Sequence, residues 1–351
     1  MKYPLLPYSQ LVWEMTRWNP WVYVFPFIIC WKNGAEQKAQ VEQAFRTVLN
    51  NHPVFSMRVD WKGRQYAIES KDILHGQYHD VTIYIKGNDL YVRLSGGRIL
   101  GDGESGAILA RDLCRAYNGL SLGEDDYWGY VAQYERNKNE SHYCLSKEWC
   151  EREFADESVP VHPTIDRRRL MTLIAPKVGV LEDEYTALSA KIEQLQVEHF
   201  ISHEGIFSLC AALAIAEYCG SHEAALTWAY EGREKEDEQH IFGSLHRDIP
   251  FYVPKSIIEN RESAIRLARK QIRSGIAHSD YPYTLTAPYN KRWNYAVNVL
   301  RVPEIDDVIS LLPFPVQLVS APEQKGILSR QREPDRQRVS EYNFLQIFLR
   351  A

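Results

Sequence analysis

The segment Ser95–Tyr117, SGGRILGDGESGAILARDLCRAY, constrains this 351-residue chain more than any other. Its first residues read as the end of a strand, its Gly/Asp cluster as a tight turn, and Glu104–Tyr117 as an amphipathic helix closed by Asn118-Gly119. A carboxylate just ahead of a helix satisfies backbone N–H groups that have no partner in the first turn, so Asp102 can serve as a cap. A strand that feeds a helix through so short a turn asks for a sheet with helices laid on it.

The flanking segments supply both. Val22–Trp31 reads as a buried strand, since the apolar run Trp21–Trp31 is about 11 residues, half of the roughly 20 a bilayer span needs. Glu36–Asn50 is a helix with Val41, Ala44, Phe45, Val48 and Leu49 on one face. Phe55–Asp60 and Arg64–Glu69 are strands joined at Lys62-Gly63, and Val81–Lys86 pairs with Leu90–Ser95 as a hairpin around Gly87-Asn88-Asp89. From Asn137 to Pro163 the pattern weakens into polar residues, which places a boundary near residue 165 and gives domains 1–165 and 166–351. Beyond it, Leu170–Ala175 is a strand, followed by two helices, of which Gly205–Cys219 is almost wholly apolar and so buried. Leu226–Tyr230, Ile249–Val253 and Trp293–Arg301 are strands, and Ser256–Ser274 is an amphipathic helix. The fold class is therefore mixed α/β (α+β), with an antiparallel-rich sheet and covering helices in each half.

Composition excludes several function classes. A net charge of −5 with mixed signs leaves no electrostatic footprint for nucleic acid, and Arg167-Arg168-Arg169 is too short to make one. The six cysteines lack C-x-x-C or His/Cys spacing, so no metal site is expected, and Cys144 and Cys150 need not pair. Cys114, Cys210 and Cys219 fall in apolar helical patterns, where buried free thiols are common. The start, MKYPLLPYSQ, lacks a charged region followed by an apolar stretch, so a cytoplasmic protein without a membrane partner is expected.

The turn resembles the active-site segment of the condensation-domain and chloramphenicol-acetyltransferase superfamily, His-His-x-x-x-Asp-Gly. Asp102-Gly103 supply the second half of that motif, while Gly97 and Arg98 stand at the two histidine positions. Other segments fall in the family's order. Tyr3–Gln10 resembles "PLTPAQ", Asn51–Val59 "RHPxLRTxF", and Asp125–Glu135 "DYAxWQ". Gly232-Arg233 with Phe242–Val253 resembles "GR … IGxFVNTLPLRV", with Arg247-Asp248 in place of Asn-Thr. Ala277–Leu285 is similar to "HQDYPFxxL", and Trp293-Asn294-Tyr295 to "FNY". The resemblance implies two acetyltransferase-like lobes in a V, with a tunnel entered by the phosphopantetheine arms of carrier proteins and no bound cofactor of its own. It implies a structural role for Asp102, paired with Arg233; a helix cap alone is the plainer alternative. Asn294, Tyr295 and His278 become candidate substrate contacts, against the plainer readings of a strand-edge asparagine and a polar core or surface histidine.

The altered positions change the chemistry. Arg98 cannot be a base, because its guanidinium stays protonated, although it can donate to a carbonyl, carboxylate or phosphate. Gly97 offers only backbone. Positioning within about 3–3.5 Å supplies much of what amide formation from a thioester requires, and a base adds roughly 10²–10⁴-fold. His75, His79, His246 and His278 are the histidines considered as substitutes, with a polar core or surface role the preferred reading of each. The leading expectation is a condensation-like protein, impaired or non-catalytic, that binds a carrier protein or tailoring enzyme. The alternatives are an acyltransferase working by positioning alone and a remnant of a once-functional domain. After "FNY" the sequence offers one more strand, Pro315–Leu318, then a polar tract until its last few residues, so the second lobe is expected to be either incomplete or unusually finished.

Overall fold

The computed structural model describes residues 2–16, 24–154, 185–221, 223–254, 257, 260–285, 295–300, 316–318 and 343–348. The first half runs β1 (Tyr3–Pro4), α1 (Pro7–Thr16), β2 (Val24–Trp31), α2 (Lys38–Asn51), β3 (Met57–Val59), β4 (Arg64–Ala67), β5 (His79–Lys86), β6 (Asp89–Gly97), α3 (Gly103–Tyr117), α4 (Tyr127–Asn137) and α5 (Ser141–Phe154). The second half adds α6 (Tyr185–His199), α7 (His203–Cys219), β7 (Ala224–Tyr230), β8 (Arg247–Val253), α8 (Arg261–Ala277), β9 (Tyr295–Leu300), β10 (Val316–Leu318) and β11 (Asn343–Phe348).

In the first lobe, β5 and β6 form the hairpin, β2 pairs antiparallel with β6, and a small sheet β1-β4-β3 stands beside them. The apolar stripe of α2 is buried along its length and packs toward α3, whose Ile108 and Leu113 face the same core. Each such side chain contributes roughly 1.5–3 kcal/mol when fully buried. In the second lobe the order is β11-β9-β7-β8, with β7 and β8 antiparallel and β9 parallel to both β7 and β11. Residues of α7 (Ile206, Leu209, Ala212) and α8 (Ala264, Ala268, Ile272) cover Leu226, Trp228, Ile249 and Phe251 of that sheet. Among the described residues no single helix is long and apolar enough to cross a membrane. Ala190–His199 and His203–Glu217 pass that test together, but they are bent by 105°.

Three segments differ from the sequence reading. The stretch after Asn137 carries a helix, α5, whose Trp149, Cys150 and Phe154 pack with Ala225 and Tyr283 of the second half. Its apolar side chains are interleaved with charges, which hid the buried stripe. The strand expected at Pro315–Leu318 belongs to the first lobe: Val316, Gln317 and Leu318 pair antiparallel with Trp31, Cys30 and Ile29. It covers an edge of β2 that would otherwise present unpaired N–H and C=O groups. The end of the chain, read as irregular until its last residues, contains β11, paired with β9 from Asn343 opposite Tyr295 to Phe348 opposite Leu300. The expected strand Leu170–Ala175 and the boundary near residue 165 lie outside the described residues.

A further segment crosses between the lobes. Ile241, Phe242 and Leu245, from the second half, are buried in the first lobe's core with Val54, Phe55 and Tyr127. The Phe242 ring lies 4.7 Å from that of Phe55, centroid to centroid. Truncating a buried phenylalanine removes transfer energy and leaves a cavity. Phe242→Ala should therefore destabilise the protein by about 3–5 kcal/mol, read from urea unfolding followed by tryptophan fluorescence. A loss below about 1 kcal/mol would mean that this crossing does not hold the lobes together.

Candidate functional site

The altered turn starts where β6 ends. Gly97 N–H donates to the Tyr78 carbonyl (2.8 Å) and its own carbonyl accepts from Leu100 N–H (2.9 Å), which folds the chain back on itself. Ile99 and Leu100 are buried in the first lobe's core, and Ser9 Oγ donates to the Ile99 carbonyl (3.1 Å). These anchors leave Arg98 half-buried between them, its Nη1 donating to the Tyr8 hydroxyl (3.3 Å). A Cβ at Gly97 would meet Tyr78 O at 3.4 Å and Ile99 Cγ2 at 3.5 Å, ordinary contact distances, so a first side-chain carbon fits there.

Asp102 caps α3 and joins the lobes at the same time. Its Oδ1 accepts from Ser105 N–H (3.1 Å), Ser105 Oγ (2.9 Å) and Arg233 Nη2 (3.0 Å). Its Oδ2 accepts from Arg233 Nη1 (2.9 Å) and from the backbone N–H groups of Leu245 (2.9 Å) and His246 (3.2 Å). The Arg233 side chain is 0% exposed and that of Asp102 6%. Burial alone would raise the Asp102 carboxyl, but the Arg233 guanidinium and these donors outweigh it and hold the group below the usual carboxylate value. Arg233 Nη2 also donates to the carbonyls of Ile241 (3.2 Å) and Gly243 (3.0 Å), fixing the crossing segment. Gly103, next in the motif, opens α3. Gly232 allows this approach: its φ is +72°, and a Cβ there would sit 2.3 Å from the Leu245 carbonyl oxygen.

Sequence reasoning missed a second polar node. His52 Nδ1 lies 2.6 Å from Asp125 Oδ2, and its Nε2 lies 3.1 Å from Asp112 Oδ2, with all three side chains buried. Asp125 Oδ2 also accepts from Phe242 N–H (3.0 Å), so this node too grips the crossing segment. Burial opposes the charge on His52, but the two carboxylates prevail and raise its pKa. Burial likewise opposes the charge on Asp112, and the contact with His52 lowers it on balance. The visible signal was Asp112 itself, an acid one turn beyond Ile108 on the buried face of α3.

Between the lobes lies an open cleft of about 450 Å³. Leu6, Tyr8, Tyr130 and Tyr134 line it from the first lobe, and His246, Asp248 and Thr284 are among those lining it from the second. Arg247 is tied off, its Nη1 donating to Ser279 Oγ (2.6 Å) and Asp280 Oδ1 (2.9 Å). The His246 ring stands edge-on to Tyr8 at 3.8 Å between centroids. Burial lowers the His246 pKa and raises that of Asp248.

The remaining candidates are dispersed. His278 caps the end of α8 and stacks on Trp149 at 4.6 Å, with Nδ1 3.4 Å from Ser146 Oγ, a packing role beside Ser279, which does line the cleft. Tyr295 opens β9 opposite Asn343, and Asn294 lies outside the described residues. His79 is buried and its Nε2 contacts the Ile73 carbonyl (2.8 Å), whereas His75 pairs at the surface with Asp80 (2.6 Å).

A family model described as Condensation domain matches residues 81–344. Three solved structures illustrate the likeness of fold. The starter condensation domain of rhizomide synthetase RzmA aligns with a TM-score of 0.63 at 14% identity, covering 86% of this chain and 79% of that one. The condensation domain of the Monacolin K polyketide synthase MokA aligns at 0.67 and 11% identity, covering 91% and 85%. The first condensation domain of the CDA synthetase gives 0.60 at 14% identity, covering 88% and 82%. No curated protein sequence matches the chain.

Two predictions follow from the nodes. Asp102→Asn leaves the Arg233 guanidinium buried without its counter-charge and should cost about 3–5 kcal/mol in urea unfolding at neutral pH. Because the folded Asp102 pKa is depressed, this loss should persist above the ordinary carboxylate value and vanish as the pH falls through the folded value. A variant as stable as the parent at neutral pH would contradict the assignment. His52 has the opposite sign: its raised folded pKa contributes stability below the ordinary histidine value, lost as the pH rises through the folded one. The melting-temperature difference between wild type and His52→Gln should therefore shrink from pH 6 upward; a constant difference would show that His52 does not change charge there.

Proposed function

The chain belongs to the condensation-domain family, related to nonribosomal peptide synthesis; from that premise we propose that it receives a carrier-bound acyl thioester in the cleft between its lobes. It holds that group as a binding scaffold whose turn supplies no base. The observation that carries this reading is the buried Asp102–Arg233 pair. A scaffold joined across the lobes by a desolvated ion pair is kept intact, while the two positions just before it hold Gly97 and Arg98.

Arg98 is a permanent donor and cannot accept a proton; it stands behind the cleft wall, bonded to the Tyr8 hydroxyl of the lining. The tyrosines of the cleft offer apolar faces with polar tips. The RzmA starter domain has been solved, as a variant, with C8-CoA and Leu-SNAC. By that likeness of fold, the ligand here is an acyl group on a phosphopantetheine arm, and the partner is a carrier protein or a tailoring enzyme that works on the loaded carrier.

Binding of the full chain to acyl-loaded and unloaded carrier protein, with mass spectrometry for amide product, tests this role. Tighter binding of the loaded carrier is expected, and Gly97→His/Arg98→His should raise amide formation by roughly 10²–10⁴-fold over wild type. Failure to bind either carrier form, or a wild-type rate equal to that of the double-histidine variant, would contradict it.

A further inference from the structure

The cleft contains a histidine that the family's motif does not place there. His246 immediately precedes β8 and Asp248 lies within it, and both line the cleft. The position is fixed by the interlobe node: the backbone N–H of His246 donates to Asp102 Oδ2 (3.2 Å), the carboxylate that follows the altered turn. The imidazole packs against the Tyr8 ring at 3.8 Å, and the Tyr8 hydroxyl in turn accepts from Arg98 (3.3 Å). Its Nδ1 is 3.5 Å from Ser244 Oγ, and its Nε2 has no protein partner among the described residues. The Asp248 carboxylate likewise has no hydrogen-bond partner among them, although its own backbone carbonyl accepts from Thr284 Oγ1 (3.0 Å).

We propose that His246, on the second lobe, is the proton acceptor of this cleft, with the Asp248 carboxylate as a nearby negative charge in the same lining, and that it gives the scaffold a slow amide-forming activity. The inference rests on the reading that the cleft receives the thioester. In the step, the nitrogen of an acceptor amine attacks the thioester carbonyl carbon and its proton passes to Nε2 of His246. The C–N bond forms, the C–S bond breaks, and the imidazolium returns the proton to the leaving thiolate. Amine and thioester thus become amide and thiol, and His246 is restored.

The groups acting on the imidazole set its working range. Burial disfavours its charge, Asp248 and Asp102 favour it, and Arg98 and Arg233 oppose it; Tyr8, Tyr130 and Arg247 complete the polar lining. The balance lies below the ordinary histidine value, so the ring is a neutral acceptor at neutral pH.

The test uses the full chain, octanoyl-loaded carrier protein and a pool of aminoacyl N-acetylcysteamine thioesters, with amide read by mass spectrometry from pH 5 to 9. Wild type should form amide slowly, with an acid limb below about 6.5. His246→Gln should cut the rate by roughly 10²-fold or more while leaving carrier binding intact. Asp248→Asn should move the acid limb to lower pH and Arg98→Ala to higher pH, shifts that a merely structural role would not produce and that do not need a His246 variant to fold. His75→Ala, at the surface, should change nothing. Carrier binding without amide at any pH, or an unchanged rate and profile in His246→Gln, would overturn the assignment of His246 alone. Loss of carrier binding by wild type would instead overturn the reading of the cleft.

Discussion

One desolvated ion pair organises the junction between the lobes. Asp102 has its oxygens filled by Arg233, Ser105 and the backbone of Leu245 and His246, so a single carboxylate caps α3, binds a cation from the other lobe and sets the course of the crossing segment. Such a pair contributes little net stability over an apolar replacement, but breaking it from one side is costly. Its value is therefore in registry. The turn, the helix behind it and the wall of the cleft cannot move independently.

Position and chemistry come apart at this turn. The backbone path from Gly97 to Gly103 is anchored by Ile99, Leu100 and Asp102, none of which needs a histidine beside it. The turn therefore keeps its course with Gly97 and Arg98 in it. Arg98 puts a permanent donor beside Tyr8 of the cleft lining. The imidazole of His246 reaches the cleft from the opposite lobe, while the backbone N–H of the same residue donates to Asp102.

Local periodicity made much of the first lobe legible. The α2 stripe, the β5–β6 hairpin and the Asp102 cap were visible because each depends on neighbours within a few residues. Features that depend on distant partners were not. A three-residue strand such as β10 has no pattern that says which sheet it joins, and β11 follows a long polar tract. His52, Asp112 and Asp125 are far apart in sequence and meet only when α2, α3 and the start of α4 pack together. Nothing in the sequence singles His246 out from the other candidate histidines; its place beside Tyr8, with its backbone N–H on Asp102, is a property of the interface between lobes. His278, which the motif match had marked, instead stacks on Trp149.

The central claim is that an intact interlobe scaffold presents a cleft for a carrier-borne acyl group beside a turn that has lost its base. A crystal structure of the full chain with a non-hydrolysable acyl-pantetheine amide tests it most directly. The acyl carbonyl is expected between Tyr8 and His246, with the Asp102–Arg233 pair unbroken. An empty cleft with the pantetheine bound elsewhere, or a structure in which Asp102 and Arg233 are apart, would contradict it.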